Sequence, residues 1–407
     1  MRLCLAQQDT IQEFIISDPE TMTKTVETAL APLLITGSFC NLGLFEYPLG
    51  QPRPYLTCLY FLTTWSLFAY FFYYLVYISS TLFLYTSWPS MIIMISAIVS
   101  MLVSLFRYKE LKMCLHKLSI VDDTLELLGS SKKYQRLRKW IILMISGWIA
   151  LSLFMNIVDS IWLNYDHFSI SRICVPFLGN YLLHVNTLSA LTWGTILGYT
   201  SSRFQQVNKH IHLLYSDLLE DNANCIKRNR FIIVNQRKTE AKECKRYMWI
   251  IMHVHLQICL ISRELNKVFN VQMTVQMTSY FAFILELCLE IYSTYISKTS
   301  KSSGHILDNI FAYVWGIMYS VIILILNHIC QTVYYKANKT IANLYKLSND
   351  NLDEDLREQT LQFILQIKQT EIKFGSGFSY FGYNFIRGFY KSIVTVLVIV
   401  IQMGYID

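Results

Sequence analysis

Thr395-Val396-Leu397-Val398-Ile399-Val400-Ile401-Gln402-Met403 is a run of branched aliphatics closed by a threonine on one side and a glutamine on the other, four residues before Asp407. A glutamine that close to the end of an apolar helix is costly in lipid, so it should face protein or a water-filled path. Similar apolar runs recur through the chain: of its 407 residues, 53% are hydrophobic and only 15% charged. A soluble domain rarely has that balance, and a polytopic membrane protein usually does. No cleavable signal peptide is read at the start, where Asp9, Glu13, Asp18 and Glu20 interrupt any apolar core.

A span needs about 20 mostly apolar residues. Seven segments qualify: 55–78, 86–106, 139–163, 173–200, 274–296, 308–330 and 382–403. The stretch from Thr28 to Tyr47 is also apolar, but Pro32, Asn41 and Gly43 break it. It reads as an interfacial or re-entrant helix. Charge then assigns the two sides. Spans two and three are joined by a loop holding Arg107, Lys109, Lys112, Lys117, Lys132, Lys133, Arg136, Arg138 and Lys139. The connection between spans four and five is as basic, and the alternate loops are short and nearly bare. The positive-inside rule puts the basic loops in the cytoplasm. The N-terminus is then cytoplasmic and the C-terminus extracellular, and the formal charge of +7 reflects topology, not a nucleic-acid polymer as partner. The sequon Asn338-Lys339-Thr340 falls on the cytoplasmic side and should be unused.

The expected fold class is therefore an all-α membrane protein of seven transmembrane helices, with helices extended into a cytoplasmic bundle. Residues 1–54 form the cytoplasmic N-terminus and 55–200 the first four spans; 201–273 hold helical extensions and a flexible loop at 221–246. Residues 274–330 carry spans five and six, 331–377 anchor helices, and 378–407 the last span with a short outer tail. Phe204, Val207, Ile211 and Leu214 recur at helical spacing, as do Met252, Leu256, Cys259, Leu260 and Leu265. Leu356, Leu361, Ile364, Ile367 and Ile372 form another stripe, ended by Gly375-Ser376-Gly377. Simple packing accounts for each stripe alone; together they suit a bundle that joins several subunits.

The end of the chain resembles the insect gustatory receptor family, within the seven-transmembrane insect chemoreceptor superfamily. That family's C-terminal signature is Thr-aromatic-five apolar-Gln-Phe; here Val396 replaces the usual aromatic and Met403 the usual phenylalanine. His328-Ile329-Cys330 through Ala337-Asn338-Lys339-Thr340 to Leu347, and Gly375 to Asn384, resemble the family's lead into the last span. The resemblance implies a taste receptor in the plasma membrane: a ligand-gated cation channel in which four subunits, identical or related, place their last spans around one pore. It implies a small-molecule tastant and permeating cations as partners, besides the lipid bilayer. On that arrangement Thr395, Ile399, Gln402 and Met403 share the stripe facing the axis. Ile399 and Met403 match positions that gate the pore in the family; a glutamine ring can partly replace ion hydration. The stripe holds no acidic ring, and non-selective cation passage is implied by resemblance only.

Polar groups in the outer halves of spans are few and so informative. Span three offers Asn156, Asp159 and Trp162; span four Asn180, Tyr181 and His184; span five Glu286 and Glu290; span six Trp315 and Tyr319; span one Tyr73 and Tyr77. Aromatic walls with carboxylates, amides and an imidazole suit a polar or cationic small molecule. The acidic lining favours bitter, amine-like or nucleoside-like compounds over sugars. Alternatively the groups satisfy one another between helices, or the aromatics lie in interfacial belts. Asp159, Glu286 and Glu290 at membrane depth require a partner, a proton or an aqueous cavity.

Other classes fit less well. An odorant receptor shares the architecture. A G-protein-coupled receptor needs the opposite orientation, and a transporter would show repeat halves or broken midplane helices. Ten cysteines lie scattered without a CxxC pair, and the pairs His210/His212 and His253/His255 point apart on helices. No metal, no cofactor and no enzymatic activity is expected.

Overall fold

The computed structural model describes residues 24–44, 53–74, 88–131, 134–164, 170–225, 233–297, 305–349, 354–377 and 379–404. These residues form eleven helices and one small hairpin. The helices are α1 (Lys24–Phe39), α2 (Pro54–Tyr73), α3 (Trp88–Phe106), α4 (Tyr108–Leu127), α5 (Tyr134–Leu163) and α6 (Ile170–Gly179). They continue with α7 (Tyr181–Cys225), α8 (Ile233–Ser297), α9 (His305–Asn349), α10 (Glu354–Gln369) and α11 (Tyr383–Gly404). Between α10 and α11, β1 (Gly375–Ser376) pairs antiparallel with β2 (Ser379–Tyr380). The chain is an all-α multi-pass membrane protein.

Five described helices are long and apolar enough to cross a bilayer alone, lying within α2, α5, α8, α9 and α11. The expected second span is α3, which meets α4 at a bend of 62°. The expected fourth span, 173–200, is not one rod: it is split between α6 and α7 at Asn180. Pro176 and Gly179, both poor helix formers, precede the break. Backbone pairing nonetheless runs through it, from Asn180 N–H to Pro176 O at 2.9 Å and from His184 N–H to Asn180 O at 3.0 Å. The result is a one-residue break at Asn180. The expected first span continues to 78, but residues 75–78 lie outside the described ones.

The apolar segment before the first span is the helix α1, with Val26, Ala29, Leu30 and Leu33 buried against α4, α5 and α7. The expectation of a flexible loop at 221–246 is corrected. Residues 221–225 complete α7 and 233–246 open α8, both helical; 226–232 lie outside the described residues. Charged residues with good helix propensity, such as Lys238, Glu240, Lys242 and Glu243, make a polar helix there without an apolar stripe to announce it.

The 65 residues of α8 span roughly 95 Å at 1.5 Å per residue, three times the hydrocarbon thickness. Its inner half, with those of α7 and α9, therefore stands clear of the membrane. On α9, Tyr319, Ile323, Leu326, Cys330, Val333, Ala337, Thr340, Leu344 and Leu347 are all buried. They alternate four and three apart, the seam of a coiled coil. The seam packs on α7, where Asn208 donates to Lys336 O at 2.7 Å and accepts from the Thr340 hydroxyl at 2.8 Å. The expected stripe on α7 is buried at Phe204, Val207, Ile211 and Leu214. Of the one on α10, Leu356, Ile364 and Ile367 are buried, Ile372 is buried just beyond the helix, and Leu361 is exposed, its place in the core taken by Phe363.

Large apolar side chains are exposed along α2, α5 and α11, among them Leu59, Phe71, Ile142, Phe154, Val394 and Val398. A water-soluble surface does not tolerate such continuous apolar cover. Lipid and neighbouring subunits do.

Candidate ligand site and pore helix

Asn156 and Asp159 lie one turn apart on α5, and Asn180 and His184 one turn apart at the α6–α7 break, so each pair faces one way. The two pairs meet across the helices. The Asn180 side-chain amide donates to Asn156 Oδ1 at 3.1 Å and to Asp159 Oδ2 at 2.7 Å. His184 Nε2 lies 3.2 Å from Asn156 Oδ1, and the Trp315 indole N–H of α9 points to Asp159 Oδ1 at 3.4 Å. Ser160 ties α6 to α5, its hydroxyl donating to Ile173 O at 3.1 Å.

Aromatic rings continue the cluster inward. Trp315 and Tyr319 stack at 5.8 Å; Phe283 stands edge-on to Tyr319 at 4.7 Å, and Tyr280 lies 5.2 Å from it. The Tyr319 hydroxyl is fully buried without a hydrogen-bond partner among the described residues. An orphaned, fully buried hydroxyl beside a carboxylate network is unusual enough to call for an explanation. Asp159 keeps spare acceptor capacity as well, since a carboxylate offers about four lone-pair sites and protein donors take two of them.

Six expected site residues thus meet: Asn156, Asp159, Asn180, His184, Trp315 and Tyr319. Tyr181 is turned away, its ring 5.7 Å from Phe68 of α2. Tyr73 is exposed on α2. Glu286 is half-buried and Glu290 exposed on α8, and each has an interaction of its own. Tyr77 and the Trp162 side chain fall outside the described residues. Among the described residues no group of three His, Cys, Asp or Glu side chains is arranged for a metal ion.

A polar ladder below the cluster escaped the sequence reading. Gln276 donates to the Tyr280 hydroxyl at 2.9 Å and to Asn186 O, and accepts from the Trp193 indole at 3.1 Å. One turn inward Gln272 bonds Ser189. Gln272 and Gln276 are four apart in Val271-Gln272-Met273-Thr274-Val275-Gln276, a spacing that marks a shared face.

A second cluster joins α4, α5 and α7. Arg203 Nε pairs with Asp122 Oδ1 at 2.7 Å, the two side chains 7% and 1% exposed. The Tyr134 hydroxyl donates to Asp122 at 2.8 Å, Tyr199 donates to it as well, and the Arg203 guanidinium lies 4.3 Å above the Tyr199 ring. Burial pushes the Asp122 carboxyl above the usual carboxylate range, and Arg203 and the two hydroxyls draw it partly back.

The last span starts from a fixed point. Asn327 accepts from Gly382 N–H at 2.9 Å, Asn266 accepts from Gly375 N–H at 2.9 Å, and the Tyr334 hydroxyl accepts from Phe374 N–H at 2.7 Å. The inner half of α11 packs on α8 and α9 through Phe389 and Ile393, with Phe389 5.5 Å from Phe281. Its outer half is bare. Thr395, Ile399, Gln402 and Met403 are all exposed, Ile399 by 49% and Met403 by 66%.

The curated proteins contain no match to this chain. The family model of the 7tm chemosensory receptors matches residues 32–407. That match, spanning every helix from within α1 to α11, joins the multi-pass helical fold and the C-terminal signature: the chain belongs to the 7tm chemosensory receptor family of the insect chemoreceptor superfamily, whose usual place is the plasma membrane.

Proposed function

We propose that this chemoreceptor is a ligand-gated, non-selective cation channel that serves as a taste receptor. Its ligands are small polar or cationic molecules of bitter, amine-like or nucleoside-like chemistry rather than sugars. Four copies, or this chain with related subunits, surround a pore lined by Thr395, Ile399, Gln402 and Met403. The observation that carries the reading is the cluster around Asp159. A carboxylate with lone pairs to spare, an orphaned tyrosine hydroxyl and stacked indole and phenol rings make a box for an ammonium or an aromatic amine. The bare outer half of α11 supports the pore reading, since a stripe ending in Gln402 needs protein or water opposite it.

Whole-cell recording from cells expressing this chain tests both parts. An amine or nucleoside ligand should evoke a fast cation current that survives block of G-protein signalling. Asp159→Asn should raise the half-maximal concentration about tenfold or more, the value of one charge-assisted hydrogen bond. Gln402→Ala should leave that concentration in place and change ion permeation. A current abolished by G-protein block sinks the channel reading, and unchanged sensitivity in Asp159→Asn sinks the site.

A further inference from the structure

A groove of about 610 Å³ runs between α9 and α11 at the inner end of the last span, lined by Leu324, Ile325, His328, Tyr383, Ile386 and Arg387. Its residues are graded along its length. Leu324, Ile325 and Ile386 form an aliphatic floor, and one turn nearer the cytoplasm His328 and Tyr383 form a polar rim. The rim is fixed in place: His328 Nδ1 and the Tyr383 hydroxyl are 2.8 Å apart and the rings stack.

Arg387 makes the groove unusual. It lies one turn inside α11, level with the aliphatic floor, and is exposed. Among the described residues it forms no ion pair, and neither does Lys391 one turn further along the same face. A guanidinium at membrane depth without a counter-charge is costly, so its side chain is expected to reach for the interface, where an anionic group would be favoured as its partner. Basic pockets between spans on the cytoplasmic side are suited to acidic headgroups.

We propose that this groove binds one anionic phospholipid of the inner leaflet. The phosphate sits on Arg387 beside the His328–Tyr383 rim, and an acyl chain lies on Leu324, Ile325 and Ile386. The lipid then holds the inner end of α11 against α9, so bound lipid biases the position of the pore helix. Its chemistry is two-part: the headgroup alone lacks the apolar anchor, and a zwitterionic lipid brings an ammonium of its own to Arg387.

Thermal melting of the purified full-length protein in detergent tests this, with dioctanoyl phosphatidylserine, dioctanoyl phosphatidylcholine and glycerophosphoserine as probes. The anionic lipid should raise the melting temperature by roughly 3 °C or more at saturation, and the other two should not. Arg387→Gln should lose the shift and Arg387→Lys keep part of it. Ile325→Trp, which fills the floor, should abolish it without touching a charge. Equal shifts with both phospholipids, or a full shift in Arg387→Gln, overturn the proposal. So does efficient cross-linking of Ile325→Cys to a second copy in the bilayer, which would make the groove a subunit contact. If Arg387→Gln does not fold, the three probes on the unmodified chain and the Arg387→Lys response still decide.

Discussion

Single positions carry sharp constraints in the lead to the last span. Gly375 has φ +120°, and a Cβ there would meet Ser379 O at 2.3 Å. Only glycine accepts that backbone without strain. Gly375→Ala should therefore cost on the order of 2 kcal/mol or more, read as a lower melting temperature of the purified protein. His255 poses a different problem. It is fully buried between Phe204 and Phe363, 3.5 Å from Cys259 Sγ, and burial holds its imidazole down to about 3. In the unfolded chain it titrates near 6.5, so below that pH the unfolded state binds the extra proton. Its stabilising share is complete above pH 6.5 and drains away as pH falls toward 3, at no more than about 1.4 kcal/mol per pH unit. Melting curves of His255→Phe should be flatter than the parent's between pH 6.5 and 5; parallel curves would refute the assignment.

Between helices, the buried Asp122–Arg203 pair is the tightest electrostatic joint. Removing one partner leaves the other charged and desolvated, so Asp122→Ala should destabilise by about 3–5 kcal/mol. Asp122→Leu combined with Arg203→Met should recover part of that loss, because an apolar pair of similar volume carries no desolvation cost. Chemical denaturation of the three variants checks the ranking. The sequence does not announce the pair, since Asp122 and Arg203 are 81 residues apart. The stripes on α7 and α10 were plain because apolar periodicity survives in sequence. The break at Asn180 leaves no mark in a hydropathy run. Asn156, Asp159, Asn180 and His184 are each legible as candidates, because polar residues in an apolar span are rare enough to name; that they meet is read from the structure alone. Tyr181 shares their stretch and faces elsewhere; its neighbour Asn180 turns inward, and adjacent helix positions point about 100° apart.

At the scale of the molecule, sidedness is the property that organises the rest. The positive-inside rule assigns the basic residues of α4 and the inner parts of α7 and α8 to the cytoplasm, and with them the buried Thr340 of the sequon, which should then be unused. Intact cells carrying a tag after Asp407 should stain without permeabilisation, a tag before Met1 should not, and glycosidase should leave the mobility unchanged. Staining in the reverse order would invert every inside and outside assigned above. The 65-residue helix α8 connects the two sides. It contains no proline and no glycine, the usual causes of a kink. Tyr280 and Phe283 touch the aromatic box near its outer end, while Lys245 grips Asp355 of α10 at 2.6 Å near its inner end. Such a rod is a lever. A tilt of about 2° around its outer end sweeps the far end through about 3 Å, enough to move a side chain out of one packing site and into the next.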